Sequence, residues 1–247
     1  MPRQRGFSLV ELSIAILIAL FLLGGLVTLV MGTRRTNATQ SALSQLQDNE
    51  RIAMTLITNI VQKAGYFPDP VNQTLNNFPA ETLAGVNLAA GAPGDTFVAR
   101  FFAPINDTTN GTAIINCAGQ SNATGSATVW YTNAFLVGTV NGTPWLQCQV
   151  QTSGTGAVLT INLIPDVTDM TVLYGVAPSG AGDDYSVVQY LNATQVGATN
   201  NWPNVTAVKV TLTFLVPQYG ATGGQMSTNT QTFQCVIPVM SRVGVDT

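Results

Sequence analysis

Histidine is absent from the 247 residues, and charge is scarce: nine Lys and Arg against twelve Asp and Glu, 9% of the chain, with a net charge of −3. Without imidazole there is no Ser-His-Asp or Cys-His catalysis and no histidine proton shuttle. The commonest zinc ligand is also missing. So few cations, with no basic run, exclude a nucleic-acid partner, because nothing is there to neutralise phosphates. Cysteine is rare as well. Cys117, Cys148 and Cys235 contain no CxxC pair, which disfavours a metal site and makes one disulfide plus one spare thiol the simplest count. No phosphate-binding G-x-x-x-x-G-K-[ST] loop occurs, so any motive force from nucleotide hydrolysis belongs to another protein. Gly, Ser, Thr, Asn and Gln stand where Lys and Glu stand in most soluble chains. That composition belongs to an exported, β-rich, uncharged surface.

The chain does contain one long apolar run. Phe7 to Met31, FSLVELSIAILIALFLLGGLVTLVM, has a single charge, Glu11. Its 25 residues make a helix of about 37 Å, enough to cross a bilayer core of about 30 Å. The leader MPRQRG, with Arg3 and Arg5, begins as a signal segment does, but the run is too long for a signal-peptide core and no A-x-A site follows. Arg34 and Arg35 follow the run, so arginines alone leave the orientation open. The cysteines and the polar body argue for export of the C-terminal part. A carboxylate in an apolar helix costs about 2–3 kcal/mol, least near the ends. Glu11 is therefore a functional candidate.

Helical spacing continues past Gly32. Leu43, Leu46, Ala53, Leu56, Ile57, Ile60 and Ala64 form a stripe, while Gln45, Asp48, Arg51, Thr55, Asn59 and Gln62 occupy the other faces. Gly65 is placed as a C-cap ahead of Pro68 and Pro70. One helix from Phe7 to Ala64 would be close to 90 Å long. Beyond it the period changes to two. Val129, Tyr131, Phe135 and Val137 alternate with Trp130, Thr132 and Leu136. The same holds for Met170–Val176, where Met170, Val172, Tyr174 and Val176 share a side, and for Val208–Val216. Gly/Asn/Asp clusters separate these strands. Residues 67–95 carry least pattern and are expected to wrap irregularly across the helix. The expected class is α+β: a long helix packed on an antiparallel β-rich head. Its parts are a leader at 1–6, an apolar helical half at 7–31, an amphipathic half at 32–65 and a head at 66–247.

R-G-F-S-L-V-E-L, with Gly6 before Phe7, resembles the processing signal of type IV prepilins. The resemblance implies cleavage between Gly6 and Phe7 by a prepilin peptidase and N-methylation of Phe7. It also implies an inter-subunit charge pair between Glu11 and a neighbour's N-terminal amine. Glu50–Tyr66, ERIAMTLITNIVQKAGY, is similar to a segment of PilW-type minor pilins through Arg51, Ala53, Ile60, Ala64, Gly65 and Tyr66. IPDVTDMTVLYGV (Ile164–Val176) and WPNVTAVKVTL (Trp202–Leu212) resemble two further stretches of that family. Its last strand often ends in a basic tail, of which only Arg242 is present here.

The resemblance implies a non-enzymatic minor pilin that primes assembly at or near the tip of a type IV pilus. Expected partners are other minor and major pilins through the N-terminal helix, the peptidase, an inner-membrane assembly platform and a large tip adhesin. The precursor would sit once across the inner membrane with its head in the periplasm, then leave the lipid for the extracellular pilus. The resemblance also implies a Cys117–Cys148 disulfide, leaving Cys235 as a buried free thiol. Two alternatives share these features: a J-type pseudopilin of a type II secretion system, and a membrane-anchored adhesin or glycan-binding module.

Other candidates have plainer readings beside them. Asp183 and Asp184 offer calcium ligands by analogy with pilin relatives, or a solvated turn. Asp166 and Asp169 suit acid–base work only in a cleft, and otherwise are turn residues before a strand. Trp130, Trp145 and Trp202 offer a sugar-binding face or, more simply, packing. The N-x-[ST] sequences at Asn37, Asn106, Asn110, Asn122, Asn141, Asn192 and Asn204 reflect composition.

Overall fold

The computed structural model describes residues 8–68, 81–88, 93–104, 114–122, 127–153, 156–178, 185–219 and 225–242, except for the side chains of 217–219 and 225–228. Two compact units are present: one of residues 1–45 and 216–229, the other of 46–215 and 230–247.

Helix α1 runs from Leu9 to Lys63 without a proline. In the first unit its residues 9–37 are exposed on every side. In the second, Leu46, Ala53, Met54, Ile57, Ile60 and Val61 are buried, at the three- and four-residue spacing of one helix face. Met54 and Val61 widen the predicted stripe beside Ala53 and Ile60. Leu43, expected on that stripe, is exposed; burial starts one turn later, at Leu46. The helix then hands over to the head. Gly65 N–H donates to the Arg100 carbonyl at 2.8 Å, and Phe102 N–H donates to that of Tyr66 at 2.9 Å.

Among the described residues the head holds two antiparallel sheets. The first has the order β1-β2-β3-β4-β5, formed by Leu83–Val86, Thr96–Ala103, Val129–Val140, Thr143–Thr152 and Val158–Pro165. The second has the order β7-β6-β8-β9, with β6 at Val167–Val176, β7 at Gln189–Leu191, β8 at Val205–Tyr219 and β9 at Gln225–Pro238. A short helix α2, Ala193–Ala198, starts on a capping box built from Asn192 and Gln195, which satisfies two otherwise orphaned N–H groups. The β3–β4 hairpin turns at Asn141–Gly142, whose φ values are +50° and +82°, as a two-residue primed turn requires.

The three alternating stretches are strands β3, β6 and β8, with the predicted residues inward. Tyr131, Phe135 and Val137 are buried, as are Met170, Val172, Tyr174 and Val176, and Val208, Val210, Leu212 and Phe214. Strand β1 corrects the expectation of an irregular wrap at residues 83–86, while residues 69–80 and 89–92 of that stretch lie outside the described residues. Four residues paired antiparallel with Thr96–Ala99 are too few to announce a period of two. Aromatic rings bridge the sheets: Phe97 of β2 lies 6.4 Å from Phe135 of β3 and 6.4 Å from Tyr174 of β6. Trp130 packs edge-on against Phe102 at 6.1 Å, and Trp202 against Tyr174 at 4.9 Å, which is the packing role for both.

Asp166 is the turn between β5 and β6, at φ +63°, while Asp169 accepts from Thr171 within β6. Burial raises the Asp166 carboxyl above its ordinary 3.8. A raised folded pKa means the protonated form is favoured on folding, so this group's contribution is fully present below about 3.8 and lost as pH rises through the higher folded value. Asp166→Asn keeps a residue tolerant of positive φ and removes that charge. It is expected to raise the pH 7 Tm of full-length protein in detergent by up to about 2 °C, with no gain at pH 3. A loss at pH 7 would contradict this.

Candidate functional site

The exposed apolar half of α1 is the first candidate. It is the one described helix long and apolar enough to cross a membrane, and none of its most apolar window is buried. Leu9 is 85% exposed and Phe21 81%. Hydroxyls in this stretch turn back onto their own helix: Ser13 donates to the Val10 carbonyl at 2.8 Å, and Thr28 to those of Gly24 and Gly25 at 2.8 and 2.9 Å. That satisfies them without water, as a lipid environment demands. A Cβ placed at Gly24, Gly25 or Gly32 would meet nothing within 4 Å, so packing within the described chain does not explain these glycines. Glu11 lies in the first turn of the helix. Among the described residues the ion pair is Arg51 with Asp48, at 3.4 Å on the surface, and Glu11 has none.

The second candidate is the set of polar clasps that tie segments of the head together. Cys117 and Cys148 are joined by a disulfide, which is the expected pairing. The loop carrying Cys117 is fastened from several sides. Asn133, fully buried on β3, accepts from Cys117 N–H at 2.8 Å and donates to the Ala99 carbonyl at 3.3 Å. Asn116 folds the loop by accepting from the N–H groups of Ala118 and Gln120, both at 3.0 Å. Lys63, in the last turn of α1, donates to the Ile115 carbonyl at 3.3 Å, and its ammonium stands 5.9 Å from the Phe101 ring centre. Burial lowers the Lys63 pKa from its ordinary value.

A disulfide between residues 31 apart is worth about 3–4 kcal/mol by loop entropy. Cys117→Ser with Cys148→Ser is expected to cost about 3 kcal/mol in a urea titration of full-length protein. A loss below 1 kcal/mol would show that Asn133 and Asn116 alone hold the loop. Cys235 is free but only half-buried, because β9 is an edge strand. This corrects the expectation of a buried thiol.

The C-terminal turn Met240–Arg242 closes over the helix end. Ser241 donates to the Ala64 carbonyl at 2.6 Å. Arg242 donates to the carbonyls of Trp202 and Val205 and, at 2.6 Å, to the Thr82 hydroxyl. Burial brings the Arg242 pKa down to about 10, partly offset by the Glu81 carboxylate. The lone arginine of the tail is thus an internal clasp rather than a basic flag.

The sequence from 134 to 240 matches the family model of PilW, the type IV pilus-assembly protein W, and residues 1–27 match the prokaryotic N-terminal methylation motif. Over these two segments the chain is similar to type IV pilin-like proteins. No curated individual protein matches it. The PilW match begins within β3 and runs to the C-terminal turn, while the methylation-motif match holds Gly6, Phe7 and Glu11 together on one stretch of sequence. The N-terminal motif and the apolar helix fit a membrane-anchored pilin precursor. Gly6 and Phe7, and the calcium candidates Asp183 and Asp184, lie outside the described residues. The clasps were the residues sequence reasoning missed. Asn133 had a readable signal, as the polar member of the inward set Tyr131, Asn133, Phe135 and Val137. Arg242 had none beyond being a single cation near the end.

Proposed function

We propose that the chain is a minor pilin, processed between Gly6 and Phe7, that takes part in priming and assembly at or near the tip of a type IV pilus. The observation that carries this reading is a helix exposed and apolar on all sides over residues 9–31 with Glu11 as its charge, joined to a head bearing the PilW match. In the inner membrane lipid covers those side chains. On extraction, the helices of other pilin subunits replace the lipid, and the methylated amine of a neighbouring subunit supplies the cation for Glu11. An assembly platform, a separate ATPase and a large tip adhesin are the partners this role requires. Two measurements test it. Mass spectrometry of the mature chain is expected to show N-methyl-Phe7; an intact Met1 in cells with active peptidase overturns the processing. Affinity recovery from sheared surface fractions is expected to return other pilus subunits. Recovery of secretion-system subunits instead would make the chain a pseudopilin.

A further inference from the structure

Among the described residues, the first sheet ends on β5, and that edge is unguarded. The other end of the sheet, β1, has four residues and β7 has three, too short to template a partner. Strand β5 has eight, VLTINLIP, with no charge, no glycine and a proline only at its last position. Val158 and Leu159, on opposite faces, are 55% and 41% exposed. Leu159 stands opposite Val150, and Ile161 opposite Cys148, both partners being buried. The core face of the sheet therefore reaches its edge and stops there uncovered. Edge strands are ordinarily protected by lysine, by an early proline or by a bulge that twists them away. The one register shift on this pairing, at Leu146/Gln147, lies toward the other end of β5 from Val158.

We propose that β5 is a docking edge that accepts an extended, uncharged strand from the head of an adjacent, different subunit of the same assembly. This rests on the assembly role proposed above. Two features select that occupant. The edge offers no ionic handle, so the incoming strand is neutral, with apolar residues on the side that covers Leu159 and Ile161 and backbone hydrogen bonds supplying the affinity. The edge is also small. About 27 Å of strand buries on the order of 500 Å², well below the roughly 1,200 Å² of an interface stable by itself. Such an edge is occupied only by a strand already held close by, and a subunit anchored in the same helix bundle is held at millimolar effective concentration.

The test places a photo-cross-linking residue at Thr160, and in parallel at Leu17 on α1, in the full chain within cells that build the assembly, with adducts mapped by mass spectrometry. The expected result is an adduct from position 160 to an uncharged head segment of a different pilin-like subunit. Leu159→Lys should lower its yield about tenfold, or about 1.4 kcal/mol, and leave adducts from position 17 unchanged. Adducts from 17 with none from 160, or a 160 adduct to a second copy of this chain, overturn the docking edge alone. Absence of inter-subunit adducts at both positions overturns the assembly reading with it.

Discussion

Replacing Asp95 by alanine is expected to cost the head about 3–5 kcal/mol and to lower its Tm by roughly 8–15 °C, measured by tryptophan fluorescence on full-length protein in detergent. Asp95 is buried, which is notable in a chain with twelve acidic residues. One carboxylate oxygen accepts from Asn87 Nδ2 at 2.9 Å and Leu88 N–H at 3.2 Å, and the other accepts from Val172 N–H at 2.9 Å. Its own N–H donates to the Met170 carbonyl at 2.6 Å. One side chain thus ties the loop between β1 and β2 to the middle of β6 in the other sheet. Alanine leaves the buried Val172 N–H unmet and gives up the carboxylate's bonds to Asn87 and Leu88, which are exposed. Asparagine restores one acceptor but turns an NH₂ toward a donor, so an intermediate loss of about 2 kcal/mol is expected.

The neighbouring glycine gives an independent route to the same joint. Gly94 has φ +88°, and a Cβ there would come within 2.5 Å of the Met170 nitrogen and 2.7 Å of its oxygen. Gly94→Ala is expected to destabilise by several kcal/mol with no change of charge, because both contacts are rigid backbone. If both variants unfold at the wild-type temperature, the two sheets are not held together here.

Glu11→Ala is expected to leave the amount of membrane-inserted chain unchanged or raised, and to reduce its recovery in sheared surface assemblies at least about tenfold. The first half follows from solvation: removing a carboxylate from the apolar helix relieves about 2–3 kcal/mol on insertion scales. The second follows from the proposed charge pair. When lipid is replaced by other helices, a cation from a neighbour is the one compensation available, and its loss forfeits more than a factor of ten. Glu11→Gln keeps the shape and loses the charge, so it should behave as alanine does. Wild-type recovery of either variant would refute the pairing.

The helix and three of the strands were legible because their signals are periodic and local. Residues 9–31 are apolar on every face, with Glu11 as the one charge, and residues from Leu46 to Ala64 repeat at helical spacing. Strands β3, β6 and β8 alternate because one side of each faces the core. Strands β1 and β7 were not legible, since three or four residues cannot establish a period. Edge strand β5 was not either: its residues 158–160 are exposed on both faces, so no contrast between inside and outside is written into them.

What the sequence alone determined is the chemistry on offer: no histidine, little charge, a prepilin-like start with one carboxylate in an apolar run, and three cysteines in the head. Those follow from residue types and their order, which folding does not change. Tertiary structure decided which polar groups became joints. Asp95 and Val172 are 77 residues apart, and Arg242 and Thr82 are 160 apart, so neither pairing has a local spacing to read. It also decided that β5 ends a sheet, because an edge is a property of what does not lie beside a strand. A buried polar group must find its partner wherever the fold brings one, and only the folded chain says where that is.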